Sequence, residues 1–227
     1  MKNSKTTKKQ NNDVSDPAVQ SLGEEIANSI THGIGAALSI AALAILVVSA
    51  SGNGDTLRVL SLSIYGTTLI LLYLSSTLYH SFSDERIKQF FKVMDHSSIY
   101  LLIAGSYTPI VLVSIRGAWG MTVFVIVWAM AVAGIIAKIF LTGKYDKISV
   151  LFYIAMGWLI VFAIKPMFQT VPLKLLIWLL VGGISYTFGI IFYAWEKMPY
   201  NHAVWHLFVL GGSITHFFGI LFYLTDG

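Results

Sequence analysis

Apolar residues run along this chain in blocks of about twenty, broken by short polar stretches, and a block of that length crosses a bilayer as a helix. Seven such blocks are predicted, near residues 32–51, 57–80, 96–115, 118–141, 148–165, 172–195 and 203–225. The fifth is short and is expected to end at Lys165-Pro166. The runs are too long and too continuous for barrel strands. The pattern therefore predicts an all-α membrane protein, a seven-transmembrane helix bundle. Ahead of the first block, residues 1–16 are polar and read as a disordered basic tail with no signal-peptide core. Residues 17–31 mix charged and apolar positions, as a helix lying at the interface would, with Asp16 as its cap and Pro17 in its first turn. The seven-helix transmembrane domain then fills 32–227.

Details within the blocks add to this picture. Pro109 falls in the middle of the third and should loosen or kink it. The small residues of "GGISYTFG" at 182–189 suit a close helix–helix face. Trp119, Trp178, Trp195 and Trp205 lie near block ends, where interfacial anchors belong.

Composition agrees: 56% of residues are hydrophobic and 11% charged, against about 25% charged in soluble domains. There are no cysteines, so disulfides and thiolate metal sites are excluded and any metal must use His, Asp, Glu or water. With the N-terminus placed in the cytoplasm, eleven lysines and arginines fall on inner segments and four on outer ones. That asymmetry predicts a cytoplasmic N-terminus and an outside C-terminus. It also explains the net charge of +4 without a nucleic-acid partner.

Against this background the polar residues at block ends stand out. His32, His80, His96, His202 and His206 all fall at the predicted inner face, from four different helices, and Asp95, Glu24, Glu25 and Asn28 join them. Ionisable groups at that depth are costly and usually face a bundle interior or cavity. His202 and His206 are four apart, one turn of a single helix face, so two imidazoles can meet one ion. Ser76 and His80 repeat the spacing, and Glu25, Asn28 and His32 form a third stripe. A catalytic zinc site takes three protein ligands and a water. His80, His202 and His206 would supply the nitrogens, and Asp95 could orient or deprotonate the water.

Structural readings stand beside these. Each histidine alone can be a hydrogen-bonding helix partner. The Glu25–Asn28–His32 stripe can cap and anchor its helix, and Ser76 can bond back to its own backbone. His96 can support the site or face away. His216 lies about 15 Å deeper than His206 at 1.5 Å per residue, and reads as an interhelical partner of Ser213 or a facing tyrosine.

At these residues the sequence resembles a known family. "EEIANSITHGIG", "SSTLYHSF", "DHSSIYLLIAGSYTP" and "HAVWHLF" are similar to the motifs of the haemolysin III family, the bacterial branch of the progestin and adipoQ receptor family. The resemblance covers essentially residues 20–227. It implies seven transmembrane helices in a bacterial cell membrane, a cytoplasmic N-terminus and a zinc ion near the cytoplasmic side. His80, His202 and His206 match the ligand histidines, and Ser76 and Asp95 the motif serine and aspartate; Glu25, Asn28, His32 and His96 would support them. A wider similarity to alkaline ceramidases implies hydrolysis of lipid amides, with membrane lipid as substrate, whereas the family name implies haemolysis. Three functions follow: a zinc-dependent lipid amide or ester hydrolase, a non-enzymatic pore-forming or membrane-perturbing protein, or a sensor with structural zinc.

Overall fold

The computed structural model describes residues 20–52, 54–141 and 146–225, and all regular structure among these is helical. The polar tail, Asp16 and Pro17 lie outside the described residues. The chain runs through α1 (Leu22–Ser51), α2 (Thr56–Ser81), α3 (Glu85–Pro109), a π-helical segment (Ile110–Ile115) and α4 (Gly117–Leu141). It continues through α5 (Asp146–Gly157), a 3₁₀ segment (Leu159–Ala163), α6 (Ile164–Thr170), α7 (Leu173–Ala194) and α8 (Asn201–Leu224). Among the described residues seven helical spans are long and apolar enough to cross a membrane, the fifth being built from α5, the 3₁₀ segment and α6.

Capping side chains set several boundaries differently from the hydropathy pattern. Ser21 caps α1 through a reciprocal pair: its Oγ accepts from Glu24 N at 3.3 Å, and Glu24 Oε2 accepts from Ser21 N at 2.8 Å. From there α1 runs unbroken to Ser51, so residues 22–31 continue into the first span instead of forming a separate interfacial helix. Asp84 accepts from Arg86 N and Ile87 N, both at 3.1 Å, and starts α3 at Glu85 rather than near residue 96. The fifth span does not stop at Lys165-Pro166. Pro166 is the third residue of α6, where its missing N–H has no intrahelical role.

Pro109 acts as expected, with a specific outcome. Beyond it the backbone widens into a π-helix, and Arg116 N closes on Val111 O at 3.0 Å. The break in the fifth span is held by Tyr107 from α3. Its hydroxyl lies 3.0 Å from Met156 O and 2.7 Å from Gly157 O, and accepts from Ile160 N at 3.0 Å.

Packing follows chain order from α1 to α4, α7 pairs along α8, and α8 returns to α1. The third span is the most enclosed. Helix α1 buries a single stripe: Asn28, His32, Gly35, Ser39, Ala42, Leu46 and Ala50. Steps of three and four place these on one face. The stripe is polar at its N-terminal end and apolar toward its C-terminus, so one helix face is core at one end of the bundle and candidate site at the other. The small-residue faces of α7 and α8 do interlock: a side chain on Gly182 would collide with His216, and one on Gly212 with Tyr186. At the far end, Asp55 caps α2 and accepts from Arg116 Nη2 at 2.6 Å, joining the second and third spans.

Candidate metal centre

His80, the last but one residue of α2, meets His202 and His206 from the first turns of α8. One ring nitrogen from each lies within 4.8 Å of the others. Ring centroids are 5.1 Å apart for His80–His202, 5.3 Å for His80–His206 and 4.6 Å for His202–His206. The four-residue spacing in α8 does bring its two imidazoles to one point, and α2 supplies the third from across the bundle.

Hydrogen bonding fixes which nitrogen two of the rings present. His80 Nδ1 lies 2.7 Å from Glu25 Oε2. A carboxylate only accepts, so Nδ1 carries the proton and Nε2 keeps its lone pair. His206 Nδ1 lies 3.3 Å from Thr31 Oγ1, whose own proton goes to Ala27 O or Asn28 O, both at 2.9 Å. Thr31 therefore accepts from Nδ1, and His206 Nε2 is again a lone pair. His80 Nε2, His202 Nε2 and His206 Nε2 are all buried without a hydrogen-bond partner in the protein. Three buried and unpartnered imidazole nitrogens, two of them fixed as lone pairs, fit a divalent ion that favours imidazole. The outer Nδ1–H bonds that orient two of them are those of a metal-binding histidine.

The remaining sequence candidates sit around this trio. Glu25 accepts from both His80 and Lys88, whose Nζ is 2.7 Å from Oε1. Asn28 donates to Gln20 Oε1 at 2.8 Å and lies 3.5 Å from His80 Nδ1. His32 stacks on His206, centroids 3.4 Å apart and planes 12° off parallel. Ser76 is fully buried on α2. Unlike Ser75, which bonds back to Leu71 O at 2.7 Å, its hydroxyl makes no bond to its own helix. It faces Asp95 of α3 from outside hydrogen-bond geometry. His96 accepts Tyr153 OH on its carbonyl at 2.8 Å, and its side chain lines the cavity described next. His216 bonds neither Ser213 nor a tyrosine: its Nε2 lies 3.0 Å from Leu179 O on α7, and its ring is edge-on to Tyr186.

A cavity of about 350 Å³ begins at this cluster and runs into the bundle. Its polar end is formed by His32, Asp95, His96, Lys138 and His202, and most of its remaining wall is apolar. Phe168 of α6 and Leu180 of α7 belong to that wall and are also exposed on the outer surface. The cavity thus opens sideways between the fifth and sixth spans.

Three residues of the site carry no clear signal in the sequence. Lys138 counts there only as a topology charge, yet it is 2% exposed, lines the cavity and lies close enough for its charge to act on Asp95. Lys88 likewise reads as a topology charge. Thr31 has no mark of its own, although its place three residues after Asn28 was a usable hint. Trp205, near the start of α8, also lines the cavity and packs against His202 and His206.

Fold and site together define a multi-pass helical membrane protein with a buried histidine cluster at one end. The family model described as Haemolysin-III related matches residues 20–217, and the chain belongs to that family. It is 52% identical over 192 residues to Hemolysin-3 of Bacillus cereus, covering 85% of this chain and 88% of that protein. It is 47% identical over 190 residues to a Hemolysin-3 homolog of Bacillus subtilis (strain 168), covering 84% and 89%. A more distant relative is the monocyte to macrophage differentiation factor of Homo sapiens, 29% identical over 192 residues, covering 82% and 78%. With its seven spans and these bacterial relatives, the protein is a multi-pass protein of the bacterial cell membrane.

Proposed function

We propose that this protein is a zinc-dependent hydrolase of membrane lipid, acting at an amide or ester bond, with its N-terminus and histidine cluster on the cytoplasmic side. The observation that carries the reading is the junction of two features: three buried, unpartnered Nε2 atoms, and an apolar cavity that reaches the outer surface of the bundle. His202 belongs to both.

His80, His202 and His206 would hold the ion through Nε2. Zinc in such a site supplies Lewis acidity and lowers the pKa of its water toward ~7. An acyl chain enters between the fifth and sixth spans and lies along the apolar wall, which sets its carbonyl at the polar end. Asp95, buried on that wall, takes the proton of the attacking water on a carboxylate oxygen and returns it to the leaving amine or alcohol as the C–N or C–O bond breaks. Ser76, whose hydroxyl is not used by its own helix, steadies the oxygen on which charge develops or holds the attacking water in place. Glu25 and Thr31 keep the His80 and His206 rings turned with Nε2 inward. The names of the Bacillus relatives carry haemolysis; on this reading lysis would follow from altered lipid composition.

The test is elemental analysis of the detergent-purified protein, wild type against His202→Ala/His206→Ala, followed by turnover of N-acyl and ester lipids. Near-stoichiometric zinc in wild type, lost in the double variant, together with turnover that Asp95→Asn abolishes while keeping zinc, supports the proposal. Absence of metal from wild type, or full turnover by Asp95→Asn, overturns it.

A further inference from the structure

Helix α1 gives no nitrogen to the histidine trio, yet it supports two of its members: Glu25 accepts from His80 Nδ1, and Thr31 from His206 Nδ1. His202 has no support of that kind. Its Nε2 is buried and unpartnered, and its ring is flanked by those of Trp205, 4.9 Å away, and Tyr193, 5.8 Å away. Such contacts limit how the ring turns. They do not set where the backbone that carries it stands.

The backbone of His202 is set two residues earlier. Tyr200 is the N-cap of α8, with φ 56° and ψ 22°, a left-handed conformation that residues other than glycine rarely adopt. Such a conformation persists where the surroundings over-determine it. Two contacts do so here, both with the start of α1. The Tyr200 N–H donates to Glu24 Oε1 at 3.0 Å. The Tyr200 hydroxyl lies against Gly23, where the first carbon of a side chain would stand 2.9 Å from it. The Tyr200 side chain makes no capping bond to α8. Glu24 secures that end from α1 instead, while its other oxygen, Oε2, accepts from Ser21 N at 2.8 Å and from Ser21 Oγ at 2.9 Å. One carboxylate therefore ties the starts of both helices together. The first turn of a helix fixes the residues that follow it, so this tie places His202 and, one turn on, His206.

We propose that Glu24 is a positioning residue of the metal centre: through the main-chain N–H of Tyr200 it holds the first turn of α8, and with it His202, in place against His80. The inference rests on the reading of the three histidines as a metal centre, but it does not require turnover. Helix α1 then supports all three nitrogens, Glu24 through the backbone and Glu25 and Thr31 through the rings, without being a ligand. The support depends on reach and not on charge. A negative charge at the start of α1 acts from a shorter side chain as well, whereas the bond to Tyr200 N needs the full length of glutamate.

The experiment uses the full-length protein in detergent. Zinc affinity is read by chelator competition, the surroundings of the metal by the visible absorption of the cobalt-substituted protein, and the tie itself by amide exchange at Tyr200 in the metal-free protein. Glu24→Asp keeps the charge and loses the reach. It should weaken zinc binding by roughly tenfold, the low end for residues that support a metal-binding histidine. It should also shift the cobalt spectrum and speed exchange at Tyr200. Glu24→Gln has one acceptor oxygen for two main-chain donors and should lie between Glu24→Asp and wild type; it serves as the second variant if Glu24→Asp does not fold. Ser21→Ala removes the hydroxyl cap of α1 but leaves Glu24 Oε1 on Tyr200. It should lower the thermal midpoint and keep the zinc affinity and cobalt spectrum of wild type. The proposal is overturned if Glu24→Asp binds zinc as wild type does, if exchange at Tyr200 is unchanged, or if Glu24→Gln is the weaker of the two, since charge would then be what counts. Equal loss of zinc affinity in Ser21→Ala and Glu24→Asp also overturns it, because fraying of α1 would account for both. A wild type without metal sinks the metal-centre reading and this inference together. Metal in wild type, weakened in Glu24→Asp, with no hydrolysis of any lipid sinks the hydrolase reading and leaves this one standing.

Discussion

Glu25 Oε2 accepts the Nδ1 proton of His80 at 2.7 Å, while the other oxygen of the same carboxylate accepts from Lys88 Nζ at 2.7 Å. The carboxylate therefore bridges α2 and α3 from α1 and fixes the His80 tautomer. Removing such a support from a metal-binding histidine costs about 10–100-fold in metal affinity. Glu25→Ala should lose zinc to a competing chelator at correspondingly lower chelator concentration, with the fold intact by circular dichroism. Glu25→Gln, which keeps an acceptor oxygen, should fall between. Equal zinc affinity in all three proteins would remove Glu25 from the metal centre.

Thr31 makes the corresponding argument for His206. Its Oγ1 gives its proton to the α1 backbone and receives Nδ1–H at 3.3 Å. Thr31→Val keeps the branched shape and removes the acceptor, so the ring is free to take the other tautomer. Zinc affinity should drop, by less than in Glu25→Ala because a long neutral bond is lost instead of a charged one. Thr31→Ser should restore it. Chelator competition on the three proteins decides the matter.

The difference between Thr31 and the three clustered histidines explains what could be read from the sequence. Hydropathy and helical pitch give the depth of a residue, which is why His80, His202 and His206 could be placed together. They do not give the rotation of one helix against another. Whether Lys138 faces the cavity or the headgroups depends on that rotation, and a lysine near a span end reads as a topology charge either way. The place of Trp205 in the cavity wall was hidden for the same reason: aromatic rings near span ends suit both an interface and a cavity wall. Pro166 misled through position, because a proline ends a helix in its interior but is accepted in its first turn. Ser76 illustrates the reverse case. Its hydroxyl was open to a backbone bond, and only the three-dimensional arrangement leaves it facing Asp95.

Asp55 predicts a pH effect outside the membrane spans. Its carboxyl is held below the ordinary carboxylate value chiefly by the Arg58 backbone N–H, with Arg116 beside it adding to the same effect and desolvation opposing it. A depressed folded value means that the ionised form stabilises the fold above the unfolded value and that this contribution is lost as pH falls through the folded one. Wild type should therefore exceed Asp55→Asn in thermal midpoint at neutral pH, and the gap should close below about pH 4. The group is half-buried at the surface and reached by solvent, so the gap should be small and shrink with added salt. A gap that persists unchanged to pH 2 would assign the effect to capping geometry alone.

Tyr107 carries the last prediction, because a broken span needs its backbone groups satisfied where no water is at hand. Between Gly157 and Leu159 the fifth span leaves its α-helical ladder. The Tyr107 hydroxyl lies 2.7 Å from Gly157 O and receives Ile160 N at 3.0 Å. Tyr107→Phe keeps the ring and strands these groups. The cost should be about 1–3 kcal/mol, the penalty for unmatched buried polar groups, read as a lower thermal midpoint at constant zinc content. The same variant separates two accounts of the break. If Tyr107 holds it open, its loss should let α5 and the 3₁₀ segment regain a regular ladder, and amide exchange at Ile160 should slow. If the break is set by local sequence around Gly157, exchange at Ile160 should instead accelerate as its N–H loses its partner.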